Sequence, residues 1–145
     1  MKKVVVTGGA GFIGSHLVQH LIGQGDEVHV IDDLSTGKIE LLNPGAKLHV
    51  LDIRSNDAAE LITAIRPSLV VHLAAQADVQ HSVLDPAADL DINVNGTLNI
   101  LRACREANVS KIIFTSTSGV YGRIFKNSLW SQIRSSRSPS MDYPN

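Results

Sequence analysis

The sequence predicts an α/β protein, a parallel sheet of about five strands with helices on both faces. Three observations predict it. Short β-branched runs recur along the chain, segments with helical spacing of apolar residues alternate with them, and glycine or aspartate closes nearly every run. Strands joined through helices run parallel, and such crossovers are right-handed.

Val4-Val5-Val6, ending at Gly8, reads as a buried parallel strand, because a strand covered on both faces is apolar without alternation. A helix follows through Ile13, Leu17 and Leu21 and through Val18 and Ile22, two i,i+4 rows forming one apolar face, and Gly23-Gln24-Gly25 ends it. Val28 to Ile31 is the second strand, closed by Asp32-Asp33, and Leu48 to Leu51 the third, closed by Asp52. Ala58 to Ile65 is a short helix stopped before Pro67, and Leu69 to Leu73 the fourth strand. Asp85-Pro86 starts a helix, since proline is tolerated in the first turn, and Ile92, Leu98, Leu101 and Ala103 carry it to Asn108. Ile112 to Phe114 is the fifth strand. There is no internal repeat.

The bulk numbers narrow the function classes. A net charge of −1 with 19% charged residues gives no electrostatic reason to expect nucleic acid or an acidic membrane as partner. The single cysteine, Cys104, has no internal partner for a disulfide and is expected to face the core. No stretch approaches the ~20 apolar residues of a membrane span, and the run after Lys2-Lys3 is too short for a signal peptide. A cytoplasmic protein is the expectation.

Thr7-Gly8-Gly9-Ala10-Gly11-Phe12-Ile13-Gly14 joins the first strand to the first helix. The chain must turn sharply at Gly8, where a Cβ would clash. At Gly11 the backbone must approach a diphosphate closely, and Gly14 lets the helix pack. Free N–H groups at the helix start and the positive end of its dipole then face the anion. Asp32 follows Gly14 by 18 residues, at the end of the second strand, as a Rossmann-type βαβ unit requires. Its carboxylate can accept the ribose hydroxyls and repels a 2′-phosphate by about 1–4 kcal/mol at ~4 Å, favouring NAD over NADP.

The glycine spacing Gly8-x-x-Gly11-x-x-Gly14 resembles that of the extended short-chain dehydrogenases/reductases, in particular the NAD-dependent epimerase/dehydratase family. Asp32-Asp33-Leu34-Ser35-Thr36-Gly37 resembles the segment after the second strand in UDP-glucose 4-epimerases. Asp52-Ile53-Arg54, His72-Leu73-Ala74-Ala75-Gln76, Asn93-Val94-Asn95-Gly96-Thr97 and Phe114-Thr115-Ser116-Thr117-Ser118-Gly119-Val120-Tyr121-Gly122 each resemble a family segment in the expected order. The resemblance covers residues 3 to 122 and implies a sheet order of 3-2-1-4-5. It implies that Gly8, Gly11 and Gly14, with Phe12 and Ile13 beside them, hold the diphosphate, and that Asp32 and Asp33 hold ribose. Asp52 and Ile53 then meet the adenine, Leu73, Ala74 and Ala75 the middle of the cofactor, and Asn93 and Thr115 its nicotinamide side. Thr117 falls where the family uses a hydroxyl on the reacting sugar oxygen. Ala77 departs from the lysine of some UDP-galactose epimerases, which leaves the sugar open.

The implied activity is that of a nucleotide-sugar epimerase of the UDP-glucose/UDP-galactose 4-epimerase kind. The same motifs serve nucleotide-sugar 4,6-dehydratases and non-catalytic NAD-binding relatives, and both stand as alternatives. Implied partners are a nucleotide sugar and, in the intact family, a second copy; no metal is expected, although His16 and His20 stand i,i+4 on one helix. The family's Tyr-x-x-x-Lys is missing: Tyr121 is followed four residues on by Phe125, and Tyr143 by only two residues. The chain is therefore expected to be the N-terminal part of such an enzyme, an incomplete Rossmann domain over residues 1–122, inactive by itself. Residues 123–145 hold six serines, four basic residues and one acid, without helix or strand spacing, and read as an irregular tail. Read one base earlier, codons for Met141-Asp142-Tyr143-Pro144-Asn145 permit Tyr-Gly-Leu-Ser-Lys, so the tail is expected to be out of frame.

Overall fold

In a computed structural model, residues 1–117 are described. Residues Met1–Thr115 form one compact unit, and Ser116 and Thr117 fall outside it. The expectations for Ser118 to Gly122 and for the irregular, frame-shifted tail of 123–145 lie outside the described residues.

Five parallel strands make one sheet in the order β3-β2-β1-β4-β5: β1 Lys3–Thr7, β2 Glu27–Asp32, β3 Lys47–Val50, β4 Leu69–His72 and β5 Lys111–Phe114. Every expected strand is present within one residue or so of its expected ends. β1 is central, pairing Val4 with Val28 on one side and with Leu69 on the other. Successive strand side chains point to opposite faces, so the apolar runs feed two cores. Val4, Val6, Val28, Val30 and Val71 pack with Val18 and Leu21 of helix α1, Phe12–Gly23. Val5, Ile31 and Val70 pack on the other face with α2 (Asn56–Ile65) and α5 (Thr97–Glu106), through Ile62, Ile100 and Cys104 among others.

Local chemistry sets the helix ends. Ser55 caps α2 by accepting Ala58 N–H at 3.2 Å, and Asp57 in the first turn complements the helix dipole. Arg66 ends the helix in a left-handed conformation, φ 50°. α1 ends at Gln24, followed by Gly25 at φ 82°.

The structure refines several expectations. The helix beginning at Pro86 runs to Glu106, two residues short of the expected Asn108, and does so as α4 (Pro86–Leu90), a π-helical turn (Asp91–Gly96) and α5. A Cβ on Gly96 would lie 2.6 Å from Ile53 Cδ1, so the glycine lets this helix close onto the loop after β3. A further helix, α3 (Val79–Leu84), was not expected; its apolar residues Val79, Val83 and Leu84 are exposed, and its one local signal is Asp78, which caps Gln80 N–H at 2.8 Å. Ile13 does not join the buried face of α1. It lies at the helix mouth, 66% exposed, while Gly14 and Ser15 take the inward places. The ion pairs among the described residues involve Glu27, Asp52 and Asp91. β5 lies at the sheet edge with all four residues exposed.

Candidate functional site

All the loops after β1 to β4 leave the same edge of the sheet. The chain goes from β1 to β2 in one direction and reaches β4 in the other, and the reversal opens a crevice at the strands' carboxyl ends. A cavity of 470 Å³ occupies it, within the usual size of a ligand pocket. Its lining includes Gly8 and Gly11, Asp32 and Asp33, Asp52 and Ile53, and Leu73, Ala74 and Ala75.

Gly8 and Gly11, both in the cavity lining, differ. Gly8 has φ 69°, and a Cβ there would stand 2.7 Å from Ala74 N and 2.9 Å from Leu73 C. It is required by the fold. Gly11 has an ordinary φ of −76°, and its Cβ would meet only Gly8 O, at 3.3 Å. The space beside it is therefore left by the protein for something else. Gly11 is also the N-cap of α1, with no side-chain cap and no acid in the first turn. Among the described residues, nothing charged competes for the amides that open this helix. Gly14 does not line the cavity; its Cβ would lie 2.2 Å from Gly8 O, so it seats α1 against the loop.

Asp32 is 7% exposed and bridges two loops. One carboxylate oxygen accepts Ala10 N–H at 2.9 Å and the other accepts Leu34 N–H at 2.9 Å. Each oxygen retains a lone pair, so two acceptor positions remain on a residue that lines the cavity. Gly37 closes behind it, since a Cβ there would meet Asp32 Oδ1 at 2.7 Å. Asp33 is exposed and accepts Ser35 N–H at 2.9 Å and Ser35 Oγ–H at 2.6 Å. Asp52 is held by Arg54, whose Nη2 donates to it at 2.5 Å while Nη1 donates to Asp91 at 2.8 Å. The hydrogen bond from Arg54 holds the Asp52 carboxyl below its usual pKa, and that from Asn95, followed by Arg54, does the same for Asp91.

The remaining expected site residues do not line the cavity. Phe12 and Ile13 are exposed at the start of α1. Asn93 makes a clasp: its Oδ1 accepts Gln76 N–H at 2.8 Å and its Nδ2 donates to Gln76 O at 3.0 Å. Thr115, just past β5, donates from Oγ1 to His72 O at 3.1 Å. Thr117 is exposed and outside the compact unit that holds the cavity. His49 is half-buried and stacked on His29, rings 5.3 Å apart, and His72 is packed in the interior. Cys104 is buried, and burial pushes its thiol up to about 11. Sequence reasoning assigned no role to Gly37 or Gln76, although both stand inside the motifs it quoted; Gly37 closes on Asp32 and Ala10 and the Gln76 backbone pairs with Asn93, contacts that no apolar periodicity reports.

The sequence profile of the NAD dependent epimerase/dehydratase family matches residues 4–140. The chain is 46% identical to the UDP-glucose 4-epimerase of Thermotoga maritima, whose crystal structure with UDP-glucose superposes with a TM-score of 0.80 over 86% of this chain and 41% of that one. It is 44% identical to the Thermus thermophilus UDP-glucose 4-epimerase in complex with NAD, TM-score 0.81, over 87% and 41%. UDP-glucuronic acid decarboxylase 1 of Arabidopsis thaliana is 42% identical over 127 residues, 83% of this chain and 27% of that protein. The chain thus spans about two fifths of the length of the UDP-glucose 4-epimerases it matches.

Proposed function

The chain belongs to the NAD dependent epimerase/dehydratase family, and on that premise we propose that it forms the NAD-binding part of a nucleotide-sugar epimerase of the UDP-glucose 4-epimerase kind. The observation that carries this reading is the pairing of an open Gly11 at an uncapped helix start with a buried Asp32 carboxylate that keeps two free lone-pair positions. The cavity residues suit a dinucleotide. The amides opening α1 receive the diphosphate, Asp32 accepts the adenosine ribose hydroxyls with Asp33 at the rim, and Asp52 and Ile53 flank the adenine. Leu73, Ala74 and Ala75 form the wall along the middle of the cofactor, and Asn93, through its clasp on Gln76, and Thr115 border the nicotinamide end. Phe12 and Ile13 contribute backbone, and Gly14 seats the helix.

NAD, when bound, supplies a reversible acceptor for a hydride from a ring carbon of the sugar. Within this chain Thr117 is the residue proposed to hydrogen-bond the oxygen that gains or loses its proton. Residues 1–145 contain no Tyr-x-x-x-Lys to take that proton, so the chain by itself is proposed to bind and not to turn over. The likeness to a UDP-glucuronic acid decarboxylase supports confining the substrate to the class of nucleotide sugars. We keep the proposal of a dinucleotide domain over 1–122, and the gene's codons beyond Gly122 test whether 123–145 is read out of frame.

Calorimetric titration of the 145-residue chain tests the reading. NAD is expected to bind and to raise the melting temperature, with NADP weaker by about tenfold or more because of the charge on Asp32. Asp32→Ala is expected to abolish that preference and weaken NAD. No heat with NAD, or an Asp32→Ala variant with undiminished affinity, would refute it; conversion of UDP-galactose by the chain alone would refute the proposed inactivity.

A further inference from the structure

Behind the cavity wall lies a buried hydrogen-bond chain centred on His72, at the end of β4 and 2% exposed. His72 Nδ1 stands 2.6 Å from Thr7 Oγ1, at the end of β1, and Nε2 stands 3.0 Å from Thr97 Oγ1, at the start of α5. The other partners fix the proton directions. Thr97 donates its only hydroxyl proton to Asn93 O at 2.7 Å, so toward the ring it can only accept, and Nε2 carries the hydrogen. Nδ1 is then the bare nitrogen. Thr7 donates to it while accepting Ala74 N–H at 3.2 Å. The opposite tautomer would leave the proton of fully buried Thr7 without an acceptor and set bare Nε2 against an oxygen whose proton is already committed.

The chain therefore runs from Ala74 N–H through Thr7, His72 and Thr97 to Asn93 O, and the Asn93 amide returns to Gln76, two residues beyond Ala74. One ring ties together the strand entering the glycine loop, the Ala74–Gln76 wall and the π-helical turn. Gly8 shows why their spacing matters: its backbone already touches Ala74 so closely that no Cβ fits between them. A stacked Phe114, 5.7 Å away, fixes the plane of the imidazole.

We propose that His72, as a neutral imidazole protonated on Nε2, is a positioning residue for the dinucleotide site, holding the Ala74–Gln76 wall at its working distance from the glycine loop. This rests on the reading of the cavity as an NAD site. Burial lowers the His72 pKa and so favours the required neutral form.

The test joins nitrogen-15 NMR of the ring with NAD titration of the full 145-residue chain. At pH 7 the Nε2–H tautomer is expected in the wild type. Thr7→Val and Thr97→Val, near-isosteric changes that keep the fold, are each expected to mix the tautomers and weaken NAD at least about fivefold. His72→Asn, which can return an acceptor near the Nδ1 position, is expected to bind NAD more tightly than His72→Phe. A charged or Nδ1–H ring at pH 7, or folded threonine variants with wild-type affinity, would overturn the proposal and leave the NAD reading standing. A wild type that binds no NAD would overturn both.

Discussion

Gly8 and Gly11 sit three residues apart in one loop, and alanine at each should fail in a different way. At Gly8 the backbone is left-handed, φ 69°, which costs an alanine about 1–2 kcal/mol. The new Cβ would also stand 2.7 Å from Ala74 N, a contact that forces two strands' loops apart; overpacking of this kind costs about 1–3 kcal/mol. Gly8→Ala should therefore lose about 2–5 kcal/mol, a large part of the 5–15 kcal/mol typical of a domain. At Gly11 the φ of −76° suits any residue and the nearest atom is Gly8 O at 3.3 Å. The lost N-cap preference is offset by lower unfolded-state entropy, so Gly11→Ala should stay within about 1 kcal/mol of wild type. Its Cβ would occupy the space that the diphosphate needs, and NAD affinity should fall tenfold or more. Urea unfolding and NAD titration of both variants measure this. Equal stabilities, or a Gly11→Ala chain that binds NAD as wild type does, would refute the reasoning.

Three further outcomes are expected. Burial is the largest cause lowering the pKa of His29, His49 and His72 from the usual 6.5, so the folded chain binds fewer protons than the unfolded one. Stability should be intact above pH 6.5 and fall as pH drops below it; an unfolding midpoint in urea at pH 5.5 equal to that at pH 7.5 would contradict this. Ser55→Ala removes the cap on Ala58 N–H and should cost about 1 kcal/mol by the same assay, with less than a quarter of that counting against the cap. Cys104, with its thiol pushed up to about 11, should resist a disulfide reagent at pH 8 until urea unfolds the chain; rapid labelling of the folded protein would show the core to be open there.

Much of this was legible in the sequence because burial writes a local pattern. Val4-Val5-Val6 fills both cores, and its apolar run says so directly. The glycine loop and Asp32 are legible because each answers a backbone or charge requirement at its own position. Other features follow from contacts between distant segments. The hydrogen bonds of His72 join residues 65 and 25 positions apart, and no periodicity reports them. Ile13 breaks the apolar row of α1 because Gly14, three residues into the helix region, must face Gly8 O instead. Helix α3 exposes its valines, so the rule that apolar spacing means a buried face gives no signal there.

The place of β1 in the sheet bears on how the chain comes off the ribosome. β1 is made first, yet it needs neighbours on both edges, one at Val28 and the other at Leu69. Closing the longer loop costs about 0.9 kcal/mol more entropy than closing the shorter, so β1–β2 pairing is favoured early while the β4 side of β1 stays open. Synthesis past residue 72 is then the step that seals the central strand, and stalled nascent chains ending shortly before it should be digested far faster than those ending after it. Equal protease resistance on the two sides of that point would rule out this order of assembly.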